Sequence, residues 1–210
     1  FSPIILILCA LLAVGIFADI PSFEELEDPK SNLATQILAE DGTLLSTFHV
    51  ENRSFASYDE LSQGLRDALV ATEDARFYSH SGIDLKSLAR VAVKSVLMGN
   101  RRSGGGGSTI SQQLAKSLFP RDTVSSKIPG AKYFVLGTNK LKEWITAVKL
   151  ERNYTKEEIM SMYFNAVFFG SNSYGIKAAA RTFFGKHPQE LNVEESALLV
   201  GMVNMPTRYN

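Results

Sequence analysis

From Leu61 to the end of this chain the apolar residues recur at three- and four-residue intervals, and helix-start signals punctuate the runs. That pattern commits the region to packed helices, because residues three and four apart share one helical face whereas a half-buried strand needs strict alternation. Ser57-x-x-Glu60, Thr155-x-x-Glu158 and Asn192-x-x-Glu195 each have the make-up of a capping box, in which two side chains satisfy backbone N–H groups at a helix start. The first predicts a helix carrying Leu61, Leu65 and Leu69 toward Glu73. A second is expected from Asp84, burying Leu85, Leu88, Ala89, Ala92, Val93, Val96 and Leu97. A third, after a glycine run, lines up Ile110, Leu114 and Leu118. From Asn139 the chain places Leu141, Trp144, Ile145 and Val148 on one side of a helix and Lys140, Glu143 and Ala147 on another. Ile159, Met162, Tyr163, Ala166 and Val167 form the next stripe, stopping near Gly170, and the last helix ends before Pro206. The connection from Phe119 to Leu136 has no clear period.

Residues 1–20 obey a different rule. Ile4 to Ala18 carries no charge, and a membrane-crossing helix needs roughly 20 apolar residues. An anchor over 1–20, clipped at its start, is favoured over a cleaved signal peptide, because no basic leading segment or clean small-x-small cleavage site is visible. Cys9, the only cysteine, lies inside this run as a small hydrophobe, so disulfides and thiolate metal sites are excluded. Residues 21–50 read as a juxtamembrane linker and hairpin: an acidic, proline-containing segment, then Asp41-Gly42 between two alternating apolar runs. Residues 51–210 remain for one folded domain. With 22 basic and 22 acidic residues the formal charge is zero. Nothing global attracts nucleic acid, and an anionic ligand must be met by a local cluster.

Three stretches carry groups capable of chemistry. Glu73 falls on the extension of the Leu65, Leu69 stripe, beside Asp74. A carboxylate at the edge of an apolar face is partly desolvated, which favours proton transfer near neutral pH. Taken alone, an ordinary helix cap or salt bridge accounts for such a pair equally well. His80 follows in F-Y-S-H-S-G; the other histidines, His49 and His187, give it no metal-ligand spacing, so a loop hydrogen bond is the simpler role. R-R-S-G-G-G-G-S, from Arg101 to Ser108, precedes a helix start and resembles an anion cradle, or else a flexible surface loop. Without Gly-Lys-Ser/Thr it is not a nucleotide-hydrolysing loop. The helix after it carries Gln112, Gln113 and Lys116 within about a turn, the last two on one face. Lys140 and Glu143 share a face further on, where a solvated ion pair explains them in isolation.

Four ordered stretches together resemble the peptidoglycan glycosyltransferases, the lipid II polymerising domain of class A penicillin-binding proteins and their monofunctional relatives. E-D-A-R-F-Y-S-H-S-G at Glu73 to Gly82 is similar to the family's E-D-x-x-F-x-x-H-x-G motif, and G-G-S-T-I-S-Q-Q-L-A-K at Gly106 to Lys116 to its second motif. N-K-L-K-E at Asn139 to Glu143 resembles R-K-x-x-E, and I-M-S-M-Y-F-N-A-V-F-F-G at Ile159 to Gly170 resembles the fourth. The resemblance implies a mainly α, lysozyme-like helical domain with a short N-terminal β-hairpin and a transmembrane helix. It implies a reaction in which the C4 hydroxyl of a lipid-linked disaccharide attacks the anomeric carbon of a growing glycan, with inversion and release of undecaprenyl pyrophosphate. Carried over by position, Glu73 is the general base and Glu143 positions the donor. Asp74 is a supporting group, Gln113, Lys116 and Lys140 hold the pyrophosphate and its sugar, and Ser108, Thr109 and Gln112 belong to the same substrate-binding set.

The resemblance requires no cofactor, leaves room for a divalent cation such as magnesium or manganese, and implies no metal site. The implied partners are lipid II and nascent glycan, the bacterial membrane, moenomycin-type inhibitors and other cell-wall synthesis proteins. The implied location is the plasma membrane, single-pass, with the catalytic domain on the outer side. Asn139 departs from the family's usual arginine, and among Arg121, Lys127 and Lys132 the family's further basic residue is not singled out. The chain has no S-x-x-K transpeptidase motif and reads as a fragment of a longer protein. Two rivals use the same features: a lysozyme-like hydrolase with water as acceptor, and an inactive membrane-anchored scaffold.

Overall fold

The computed structural model describes residues 35–38, 44–48, 55–98, 106–119 and 131–204. The described chain is mainly helical, with α1 (Gln63–Glu73), α2 (Leu85–Met98), α3 (Ile110–Leu118), α4 (Ala131–Asn153), α5 (Lys156–Ala166), α6 (Ile176–Phe184) and α7 (Val193–Asn204). Ahead of them β1 (Thr35–Leu38) pairs antiparallel with β2 (Leu44–Phe48), Thr35 opposite Phe48 and Leu38 opposite Leu44. No helix among the described residues is long and apolar enough to cross a membrane. The apolar run over 1–20 lies outside the described residues. The chain divides into two units, Asp28–Ala75 with Lys156–Asn210, and Phe1–Glu27 with Arg76–Thr155.

In the first unit the predicted helix start needs correction. Ser57 and Glu60 do form a capping box, with Ser57 N–H donating to Glu60 at 2.8 Å, but it closes only the single 3-10 turn Tyr58–Glu60. Leu61 is then extended and buried, and Ser62 restarts the chain by accepting from the Leu65 amide at 3.2 Å. The apolar stripe extends across the restart because Leu61 packs as an extended residue while Leu65 and Leu69 pack from α1. Helix α1 lies against α7, and Gly64 allows a close approach: a Cβ there would meet Ser196 Oγ and Val193 Cα at 3.4 Å. At α7 the capping box is complete, with Glu195 N–H donating to Asn192 Oδ1 at 2.8 Å and Asn192 N–H to Glu195 Oε2 at 3.0 Å. Helix α5 buries Ile159, Met160, Tyr163 and Phe164, which join Ile176, Ala179 and Ala180 of α6 in the core. It ends at Ala166, before the expected stop at Gly170, and the chain turns through Ser171 and Asn172, both at positive φ, so that Phe168 and Tyr174 pair.

The second unit overturns two sequence expectations. Helix α2 was expected to bury Leu85, Ala89 and Val93, yet all three face solvent, Leu85 at 74% exposure. Its opposite side, Leu88 and Val91, lies where a Cβ on Gly107 would touch them at 3.7 and 3.5 Å. Helix α4 begins at Ala131, inside the connection that showed no period. Its buried line is Asn139, Glu143, Thr146, Ala147 and Leu150, whereas Leu141, Trp144, Ile145 and Val148 are only half-buried. Hydrophobicity alone chose the wrong side because α4 buries polar side chains that find partners there. Helix α3 packs on α4, burying Ile110 and Leu114 as expected and tying Ser111 to Glu151 by a 2.5 Å hydrogen bond.

Candidate active site

Glu73 is the last residue of α1, half-buried. The helix stops because Asp74 takes φ −155° and ψ 75°, so its amide still reaches Val70 O at 3.2 Å while the chain turns away. Asp74 is the more buried of the two carboxylates. Tyr163 of α5 belongs to the same unit, and its hydroxyl is pushed well above the usual phenol range, first by burial and then by the negative charge of Glu73. The sequence stripe assigns Tyr163 to the core, and it is indeed fully buried. Only the folded chain reveals that this phenol sits in the field of Glu73, since nothing in a 3.6-residue period relates α5 to the end of α1. Asn165, two residues on, acts as a backbone surrogate: its Oδ1 accepts from Ala56 N–H and its Nδ2 donates to Ala56 O, each at 2.8 Å. Sequence reasoning did not single it out.

In the other unit, Gly82 is the hub. Arg76 donates to Asp84 through Nε at 3.0 Å and also through Nη2, and Asp84 Oδ1 accepts from the Ser87 amide at 3.0 Å, which caps α2. This fork closes the loop from Phe77 to Ile83, and Phe77 is buried with Tyr78 and His80 edge-on to it at 5.2 and 6.4 Å. Gly82, at φ +90°, rests directly on α4: a Cβ there would lie 2.8 Å from Ala147 O. Its carbonyl accepts from Thr109 Oγ1 at 2.7 Å and from Gln112 Nε2 at 3.2 Å. Thr109 also caps α3 by accepting from the Gln112 amide at 3.2 Å. Thr109 and Gln112 are therefore buried partners of the Gly82 loop; Asp84 starts α2 as expected, and its fork with Arg76 is a structural member that sequence reasoning passed over. An Arg-x-x-x-x-x-x-x-Asp spacing across a loop gives no periodic signal.

Lys140 of α4 donates to Ser108 Oγ and to Glu143 Oε2, each at 2.9 Å. Glu143 is buried, whereas the lysine side chain keeps about a third of its exposure at 31%. An ammonium has three donors. Two of Lys140's are committed among the described residues, and the third suits an anionic oxygen arriving from solvent, with Ser108 as a hydroxyl neighbour. Lys116 is exposed on the last turn of α3 and Gln113 is half-buried one turn earlier. The fold thus brings Ser108, Lys140 and Glu143 together, connects Thr109 and Gln112 to Gly82, and keeps Glu73 and Asp74 at the end of α1. No group of three or more His, Cys, Asp or Glu among the described residues could hold a metal ion.

The chain belongs to the transglycosylase family, whose model matches residues 41–210. Its relatives include penicillin-binding protein 1A of Aquifex aeolicus (strain VF5), 37% identical over 198 residues, which are 91% of this chain and 25% of that protein. Penicillin-binding protein 1F of Bacillus subtilis (strain 168) is 37% identical over 215 residues, 100% of this chain and 28% of the relative. Penicillin-binding protein 1A of Neisseria flavescens is 33% identical over 209 residues, 96% and 25% of the two chains. The chain spans about a quarter of the length of these relatives.

Proposed function

We propose that this chain is a peptidoglycan glycosyltransferase that polymerises lipid II into glycan strands with inversion and release of undecaprenyl pyrophosphate. Membership of the transglycosylase family supports the reaction class. The observation that carries the mechanism is Lys140, held by Ser108 and the buried Glu143 with a donor to spare. A departing pyrophosphate needs fixed cations, because charge that develops on the leaving oxygens is stabilised most by preorganised donors. Lys140 supplies one, Lys116 and Gln113 add to the same group, and Glu143 both orients the ammonium and positions the donor sugar. Glu73 takes the proton of the attacking hydroxyl, with Asp74 supporting the helix end beside it. Ser108 contacts the substrate directly, while Thr109 and Gln112 act on it through the Gly82 loop they hold. The domain is lysozyme-like, with a hairpin and an anchor over 1–20 ahead of it, single-pass in the plasma membrane with the helical domain outside, and moenomycin-type phosphoglycolipids compete for the donor group.

Polymerisation of purified lipid II tests this. Glu73→Gln is expected to lower the rate by roughly 100-fold or more, the scale of general-base catalysis, and equal activity in wild type and variant would remove Glu73 from the role. Lys140→Gln separates the readings: a hydrolase with water as acceptor tolerates it, whereas pyrophosphate departure does not.

A further inference from the structure

Trp144 is the only tryptophan in the chain, and its indole N–H is buried without an acceptor among the described residues. The indole has that one polar group, a donor, so nothing else in the side chain offsets the loss. Arg66 and Gln112 also carry a buried polar atom without a partner, but each has another contact: the Arg66 guanidinium lies 4.6 Å over the Tyr58 ring, and Gln112 Nε2 donates to Gly82 O at 3.2 Å. An unpaired buried donor is costly, so such groups are rare and call for a reason. Trp144 as a whole is only half-buried, as are Leu141 and Val148, which flank it on the same face of α4. Lys140 lies on that face too, four positions earlier, and long helical side chains lie over the turn before their own Cα. The indole thus covers the turn from which Lys140 reaches Ser108 and Glu143, each at 2.9 Å.

We propose that Trp144 is a specificity-determining residue whose N–H receives the carbonyl of the 2-acetamido group on the sugar that carries the pyrophosphate. The assignment rests on the reading in which Lys140 holds that pyrophosphate. An acetamido group stands on the carbon next to the one bearing phosphate, so a donor one helical turn from the phosphate-holding lysine is at a fitting remove. A neutral N–H flanked by aliphatic side chains matches the acetamido group, which presents one carbonyl acceptor with a methyl beside it. A phosphate oxygen favours the cations instead. The outer side-chain torsion of tryptophan is broad, so a ring with part of its surface in solvent turns its N–H to a ligand at small cost.

The test uses the full chain in detergent with two substrates: lipid II, and its analogue with a 2-azido group, neutral and without a carbonyl, on the sugar that bears the pyrophosphate. Trp144→Phe keeps an aromatic ring and removes the N–H. It is expected to lower kcat/KM for lipid II roughly 10-fold, mostly through KM, the scale of one neutral hydrogen bond. Its rate on the azido analogue should match that of the wild type. A merely structural role would lower both substrates alike, and an equal loss on both overturns the proposal while polymerisation by the wild type leaves the reading of the reaction standing. Absence of polymerisation by the wild type would instead refute that reading, and this assignment with it. A second measurement needs no variant. Because Trp144 is the only tryptophan, the ultraviolet resonance Raman band of its indole N–H reports this residue alone. Rapid mixing with lipid II should shift the band to its hydrogen-bonded position, and mixing with the azido analogue should not; a band that responds to neither substrate, or to both alike, overturns the proposal.

Discussion

Replacing Gly82 by Ala tests whether the loop after α1 is held by its backbone or by its side chains. Gly82 has φ +90°, a conformation that costs an L-residue about 1–2 kcal/mol. The added Cβ would also sit 2.8 Å from Ala147 O, 2.9 Å from Ala147 C and 3.0 Å from Val148 N, all backbone atoms inside α4 that cannot swing aside. Forcing a methyl into such a contact costs about 1–3 kcal/mol more. The sum is about 2–5 kcal/mol. Two other glycines separate the contributions. Gly185 has φ +65° with nothing within 4 Å of its Cβ position, so Ala there carries only the conformational cost. Gly137 sits in α4 with open space around it, and Ala there should stabilise by about 0.5–1 kcal/mol. Urea unfolding of the detergent-solubilised chain, followed by circular dichroism, ranks the three. A Gly82→Ala cost no larger than that of Gly185→Ala would refute the close approach to α4. The same substitution should slow lipid II polymerisation beyond its effect on stability, because the Gly82 carbonyl holds Thr109 and Gln112.

Burial raises the Asp84 carboxyl, but hydrogen bonds from Arg76 and Ser87 outweigh it and hold the group well below the usual carboxylate range. Its folded pKa is therefore lower than its unfolded one, so its contribution is complete above the unfolded value near 3.9 and is lost as pH falls through the folded value. Asp84→Asn should cost about 1.5–3 kcal/mol at neutral pH, the scale of a hydrogen bond to a charged group, with a smaller difference from wild type in urea titrations below about pH 4; a pH-independent difference would refute the ion pair. Asn165→Ala removes the acceptor of the Ala56 N–H and one of two donors to the Ala56 C=O, which keeps the Ser161 hydroxyl at 2.6 Å, so the N–H is left unpaired and a loss of about 1–3 kcal/mol is expected. Hydrogen exchange should then accelerate at the Ala56 amide, and an unchanged rate there would show that Asn165 does not hold this segment.

Helix existence was legible from residue order, because a 3.6-residue period and a complete capping box are local properties. The Asn192, Glu195 box at α7 and the Ile110, Leu114 stripe of α3 illustrate this. Motif order likewise pointed to the family before any coordinate, and the Lys140, Glu143 pairing followed from a three-residue spacing. The local rule failed where packing decides which face is inside. Leu85, Ala89 and Val93 have the right period for burial, yet period identifies a face without saying what covers it. On α4 the buried line includes Asn139, Glu143 and Thr146, polar groups that a hydrophobic stripe cannot anticipate because their burial depends on partners.

Sequence by itself therefore determined a helical chain, the start of its last helix and the residue types suited to phosphate and proton-transfer chemistry. Tertiary structure alone decided which of those residues stay partly open to solvent and which hold the frame. Thr109 and Gln112 belong to the same polar motif as Ser108, yet they turn inward to a glycine carbonyl 27 and 30 residues away, while Ser108 meets Lys140. That division rests on a backbone hydrogen-bond acceptor brought near by a positive-φ glycine and a two-pronged Arg76 fork. Long-range geometry of this kind has no period for a sequence to display.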